Sequence, residues 1–322
     1  MTKVNLQGKS LVNTVMDFLI THITEYSYSE EVVFGHNIAT IKPRQSPGQE
    51  LLEYHVDIDP KPSEFSERKD FFGNNLTRFS IQKGHKRLTV TSACKISRDY
   101  SAIKESFYSE KSTQVTLASA LDSLSVNTME NFEPKQFILD SILIKNSKAN
   151  IKEYALESFK PNRSVFEATK ELMQRIFTDF SFVSGFTNVS TPLDVVMEEK
   201  KGVCQDFAQI GIACLRSVGL PARYISGYIE TLPPPGKPKL IGADASHAWF
   251  AVFIPGFGWV DFDPTNNKIP ENQHIVVGWG RDYYDVPPLK GVVYSSGTSK
   301  LSVSVDIRSL NNTDTDGQIQ SS

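Results

Sequence analysis

The sequence predicts an α+β fold, with an antiparallel, β-sandwich-like domain followed by a region where helices and strands are mixed. Three observations predict it. The first hundred residues alternate polar and apolar with period two, as half-buried strands do. Residues 163–180, RSVFEATKELMQRIFTDF, place Val165, Ala168, Leu172 and Ile176 at helical spacing. Past residue 220, short apolar runs bounded by glycine and proline read as further strands.

Taken in order, residues 1–15 form a weakly ordered extension, and Met16 opens a cleaner strand pattern, MDFLITHITEYSY. In LLEYHVDI, Leu52, Tyr54, Val56 and Ile58 point one way while Glu53, His55 and Asp57 point the other. Gly73-Asn74-Asn75 lies between two strand-like runs, a hairpin signal. In KRLTVTSACKI, Leu88, Val90, Cys94 and Ile96 share one face, which closes the β domain at about residue 98. Residues 99–150 are a mixed linker region, with helical pieces around 115–124 and 135–144. After the 163–180 helix comes a short one in STPLDVVMEEKK, capped by Ser190 or Thr191, with Pro192 at its first position and Gly202 ending it. A third helix runs from about Cys204 to Val218, stopped by Gly219 and Pro221. ARYISGYIE, SHAWFAVFI, GWVDFDP and HIVVGW are strands of a core spanning 151–308, and 309–322 is a disordered tail.

Composition narrows the function. The chain has 322 residues, 39% apolar and 22% charged, with net charge −3, enough for one large or two medium domains. A near-neutral chain without a long basic run gives no support for nucleic-acid binding. No apolar run reaches the roughly 18–20 residues that span a bilayer, and the N-terminus is unlike a signal peptide. Three scattered cysteines (Cys94, Cys204, Cys214) form neither a disulfide framework nor a CxxC zinc motif, so a reducing cytoplasm is expected, with no metal or cofactor. His22, His36, His55 and His85 lack ligand spacing and read mostly as surface residues.

The chemistry concentrates in GVCQDFAQIGIACLRSVGLPAR. Cys204 sits at the first turn of a helix, where unpaired N–H groups and the helix dipole favour a thiolate and can hold an oxyanion. Gly202 removes a side chain where an extended substrate would come close. Taken alone, Cys204 equally suits a small core residue, as mid-helix Cys214 does. Downstream, His247 opens an apolar strand, and Asp261 and Asp263 lie on the return strand after Pro-Gly-Phe-Gly. A cysteine nucleophile needs an imidazole to take its proton, and the imidazole needs an acceptor on its other nitrogen. Each residue has a bland reading, His247 as a satisfied core histidine and either aspartate as a cap before Pro264. Their occurrence together, in the order Cys, His, Asp, favours catalysis. His274, at a strand start, is the rival base.

Geometry makes this pairing testable. Asp263 shares a face with His247 only if the hairpin loop has an odd number of residues or the strands carry a bulge. With Pro255–Phe257 as the loop, Asp263 lies opposite Trp249 and diagonal to His247.

These residues resemble a known family. GVCQDFAQIGIACLRSVGLPAR, SHAW and GWVDFDPT resemble the core of the transglutaminase-like superfamily, the papain-like cysteine enzymes. ITEYSYSEEV, KPRQSPGQ, DFFGNN and GRDYYDVPPLKGVVY are similar to the β-rich N-terminal domain that accompanies this core in a bacterial group, so the resemblance covers about residues 16–308. It implies a papain-like arrangement of helices packed on an antiparallel sheet. It also implies Cys204 as nucleophile, His247 as general base and acid, and Asp263 as orienting carboxylate, with Asp261 less favoured. Departures from the family are equally informative. There is no clustered acidic loop for calcium and no paired CxxC, and no side chain upstream of Cys204 is an obvious second oxyanion donor. Phe180 and Phe182 cannot donate, which leaves Gln205 or backbone alone.

The expectation is a cysteine-dependent acyl-transfer enzyme acting on amide bonds of a peptide or protein substrate, with hydrolysis favoured over amine transfer. The alternative is a non-catalytic binding or scaffold protein that keeps the papain-like shape. A third reading gives the functional role to the N-terminal domain as a recruiting module, although the sequence supplies it no chemistry.

Overall fold

The structure is a computed structural model that describes residues 15–107, 113–145, 149–231 and 245–310. The expected N-terminal extension, apart from Val15, and the expected tail after residue 310 lie outside the described residues. Six strands come first: β1 (Val15–Val32), β2 (Phe34–Ala39), β3 (Gln49–Asp59), β4 (Glu64–Lys69), β5 (Asn75–Ile81) and β6 (His85–Asp99). Seven helices follow among the described residues: α1 (Tyr100–Phe107), α2 (Leu117–Ser125), α3 (Met129–Lys135), α4 (Ala149–Ser158), α5 (Val165–Asp179), α6 (Leu193–Glu199) and α7 (Cys204–Ser217). Two-residue strands β7 (Ser181–Phe182) and β8 (Lys201–Gly202) flank α6, and β9 (Ala222–Ile229), β10 (Ala245–Ile254), β11 (Gly258–Phe262) and β12 (His274–Gly280) make the core sheet. The chain closes with β13 (Leu289–Tyr294) and β14 (Ser299–Ser309).

The last two strands return to the N-terminal half, although the sequence boundary groups them with the core. β14 pairs antiparallel with β1, and β13 with β2, giving sheets in the orders β14-β1-β6-β3 and β13-β2-β5-β4. Pairing between segments this far apart in the chain leaves no local trace in the sequence. Along β6 the even residues from Leu88 to Arg98 are buried, the expected face among them. Leu88 and Val90 meet the second sheet, while Cys94 and Ile96 meet Tyr228, Ile275 and Val277 of the core sheet. One face of the long sheet is thus shared between its sandwich partner and the core sheet. The expected face of β3 breaks at Leu52. A bulge between Leu51 and Glu53 turns Leu51 inward and leaves Leu52 exposed.

The core sheet, in the order β11-β10-β9-β12, packs its other face on the helices. α7 is buried from Asp206 to Arg216, as befits a central helix. Gly211 lets it press on the sheet, since a Cβ there would lie 2.4 Å from the Phe250 ring. α5 is capped by Ser164, whose hydroxyl accepts from the N–H of Glu167. α6 is bounded differently from the expectation. Pro192 is itself the cap, and the helix ends at Lys200, which takes a left-handed φ of 53° before β8 begins. The second helical piece of the linker lies at Met129–Lys135 rather than at 135–144, because Thr128 caps it.

The free edge of β12 is covered by two side-chain amides from the sandwich. Gln49 Nε2 donates to the Val276 carbonyl at 2.7 Å, and its Oε1 accepts from the Val276 N–H at 2.8 Å. Asn74 does the same for Trp279, donating at 2.7 Å and accepting at 2.9 Å. Each amide satisfies the N–H and C=O of one edge residue, as a neighbouring strand would.

Candidate active site

α7 begins at Cys204 because Asp206, three residues after the cap position Val203, reaches back to accept from the Val203 N–H at 2.8 Å. The same carboxylate oxygen accepts from the Thr187 hydroxyl at 2.6 Å. This gives Gly202 a different reason from substrate access, since a Cβ there would lie 2.7 Å from the Asp206 carboxylate. Asp206 and Phe207 both donate to the Val203 carbonyl, so the N–H groups of Cys204 and Gln205 precede the first helical bonds and face the helix mouth. Cys204 is partly exposed, whereas Cys94 and Cys214 are buried and burial pushes both thiols up to about 12.

β10 and β11 pair with Ile254 opposite Gly258, so the loop is the three residues Pro255–Phe257. The odd loop puts His247 and Asp263 on one face, and His247 Nε2 lies 2.8 Å from Asp263 Oδ2. The remaining ring nitrogen, Nδ1, is left for Cys204, which lines the same cleft and favours the protonated ring. Burial works against protonation of this ring, but hydrogen bonds and charge from Asp263 and Cys204 outweigh it and push His247 up to about 10. Asp263 is fully buried; burial alone would raise it, yet donors from His247 and His274 hold it well below the usual carboxylate range.

Asp261, on the same face, belongs to another partner and accepts from Trp249 Nε1 at 2.9 Å. His274 is not a second base. Its Nε2 lies 3.0 Å from Asp263 Oδ2 and its Nδ1 accepts from the Glu271 N–H, so neither nitrogen is left for the thiol. Burial lowers His274 and keeps it neutral, which makes Nε2 the donor. Asn266 adds a third donor to the same oxygen at 2.7 Å. His247, Asp263 and His274 lie close enough to hold a cation, with ligand atoms within 4.8 Å of one another. An ion there would displace the hydrogen bonds that orient His247.

Cys204 and His247 open onto a cleft of about 260 Å³. Gln205, Tyr224 and Ser226 line it from the core, and Thr24, Tyr26, Leu301 and Val303 from the sandwich. Burial and the charges of nearby groups, Cys204 first among them, raise Tyr224 well above the ordinary phenol range, so it stays a donor. Several members of this site carry no sequence flag. The capping signal of Asp206 is readable three residues after Val203. The roles of His274 and Tyr224 depend on which strands neighbour one another, which no local pattern reveals.

The chain belongs to the transglutaminase-like superfamily. Residues 152–264 match that superfamily and residues 18–97 match the bacterial transglutaminase-like N-terminal region. An uncharacterized protein of Mycobacterium tuberculosis is 39% identical over 295 residues, 90% of this chain and 92% of that one. A relative from Mycobacterium leprae is 30% identical over the same length, covering 90% and 98%. A protein-glutamine gamma-glutamyltransferase of Pseudomonas aeruginosa is 34% identical over 79 residues, 24% of this chain and 12% of that one. Among solved structures, a proposed cysteine protease from Cytophaga hutchinsonii superposes with a TM-score of 0.72 at 21% identity, covering 92% and 91% of the two chains. That likeness establishes the shared α+β, papain-like fold. Among the described residues, no helix is long and apolar enough to cross a membrane.

Proposed function

We propose that the protein is a cysteine-dependent amide hydrolase, a peptidase or amidase working through a thioester on Cys204. The observation that carries this reading is the placement of His247 between the Cys204 thiol and the buried Asp263 carboxylate, at the edge of an open cleft. The Cys204 sulfur attacks the amide carbonyl carbon, and the carbonyl oxygen takes up charge facing the N–H groups of Cys204 and Gln205 and the Tyr224 hydroxyl. Protonated His247 gives its Nδ1 proton to the leaving nitrogen as the C–N bond breaks, which leaves the acyl group on sulfur. Water then attacks the thioester, His247 takes its proton, and the carboxylic acid departs with the sulfur restored. Asp263, held by three donors, keeps the imidazole oriented throughout. Leu301 and Val303, both well exposed beside the cleft, offer an apolar wall to a substrate side chain. Three free cysteines are consistent with a reducing cytoplasm.

Amine transfer is the second reading, favoured by the segment shared with the gamma-glutamyltransferase. The test is to incubate the protein with a peptide and glutamine-amide library and capture acylated Cys204 by mass spectrometry. Carboxylate released steadily without added amine supports hydrolysis, and product that forms only with a primary amine overturns it in favour of transfer. Absence of any acyl adduct, together with iodoacetamide labelling of Cys204 no faster than of Cys94 and Cys214, supports a non-catalytic binding protein instead.

A further inference from the structure

The face of the core sheet that carries His247 and Asp263 also lines a second cavity, of about 480 Å³, on the side of Trp249, Asp261 and His274. Arg223 on β9 and Arg98 on β6 both line it, and both are buried. Arg98 Nη1 donates to Gln49 Oε1 and Nη2 to the Glu271 carbonyl, while its Nε has no acceptor among the described residues. Arg223 has none for any of its nitrogens among the described residues, and its Nε is shut off from solvent. Its guanidinium is held by stacking alone, 3.9 Å from the centroid of the Trp279 ring and 4.3 Å from that of Trp259. Asp261 lines the same cavity but forms no ion pair with either arginine among the described residues, its Oδ2 being taken by Trp249.

A buried guanidinium without an acceptor is costly unless the site is built to receive one. Among the buried charges of the lining, two guanidiniums face one carboxylate, Asp261, whereas Glu105 and Glu133 are exposed. Glu105 and Glu133 also line the cavity and disfavour a doubly charged anion such as phosphate. Apart from Ser46 and His274, the remaining walls are apolar and aromatic, with Trp249, Trp259 and Trp279 all contributing.

We propose that this cavity is a ligand site for a small organic monocarboxylate, its carboxylate on Arg223 and its apolar body against the tryptophans. The inference does not rest on the hydrolase reading, because it concerns a separate cavity and is tested by binding alone.

All three tryptophans of the chain line the cavity, so intrinsic fluorescence reports its occupancy without a label. The full chain is titrated with benzoate, neutral benzamide and inorganic phosphate while tryptophan emission is followed. Benzoate should give a saturable change and bind about tenfold or more tighter than benzamide, the worth of one charge-assisted hydrogen-bond pair. Phosphate should give no saturable change, and Arg223→Met should weaken benzoate by about tenfold or more. Equal binding of benzoate and benzamide, a saturable phosphate response as strong as that of benzoate, or no saturable response to benzoate overturns the proposal. Unaltered benzoate binding in a folded Arg223→Met protein overturns it too. Should that variant fail to fold by circular dichroism, the comparison of benzoate with benzamide on the unaltered protein decides.

Discussion

The β10–β11 hairpin turns two chemically opposite faces outward from alternate residues of one short stretch. Toward the helices go Phe250, Val252, Val260 and Phe262, all completely buried in one apolar core. On the other side stand His247, Trp249, Asp261 and Asp263, buried as well but joined by hydrogen bonds. The alternation of a strand is enough to divide the two chemistries, with apolar packing on one face and hydrogen-bonded titratable groups on the other. Substitutions a single residue apart should therefore fail in different ways.

The largest contrast lies within the polar face. Asp263→Ala should lower kcat by about 10,000-fold in an amidase assay, since the imidazole loses its orienting acceptor. Asp261→Ala should cost far less, because that carboxylate holds Trp249 rather than His247; equal losses would erase the distinction between them. On the apolar face, Phe250→Ala should destabilise the fold by about 3–5 kcal/mol, read by denaturant unfolding. The pH dependence sharpens the comparison further. His247 is raised to about 10 in the folded protein against 6.5 for a free ring. The stability it lends is complete below about pH 6.5 and lost as pH rises through about 10. Asp263 behaves oppositely, its contribution being present above the ordinary carboxylate range and lost on acidification. Melting temperatures followed upward from neutral pH should fall across that alkaline window, and the fall should flatten in His247→Asn. The smallest effect is expected at Tyr224, where Phe should reduce acylation by about 100-fold, as loss of one oxyanion donor does, without altering the melting temperature by more than a few degrees.

Much of this was legible in the residues. Period-two runs marked β3 and β6, short apolar runs marked the core strands, and the α7 boundaries fell within a residue of the expectation, because each signal is local. The odd loop that brings Asp263 beside His247 was also readable, since register follows from counting. What escaped was long-range or bulged. Leu52 left its face because one extra residue intrudes, and β13 and β14 joined sheets begun more than two hundred residues earlier. His22 is buried against the Tyr228 hydroxyl rather than lying on the surface, for the same reason. His274 acquired its partner from the strand order, and Gly202 answered to Asp206 inside the protein rather than to anything outside it.

The two amides that close off β12 have a consequence for any attempt to study the transglutaminase-like half by itself. Cut away from residues 15–99, that half would carry a raw sheet margin at Val276 and Trp279, open to extended peptides and to other copies of itself. The N-terminal half is therefore a permanent chaperone for its neighbour, and separating the two by proteolysis should yield aggregates before it yields a smaller folded unit.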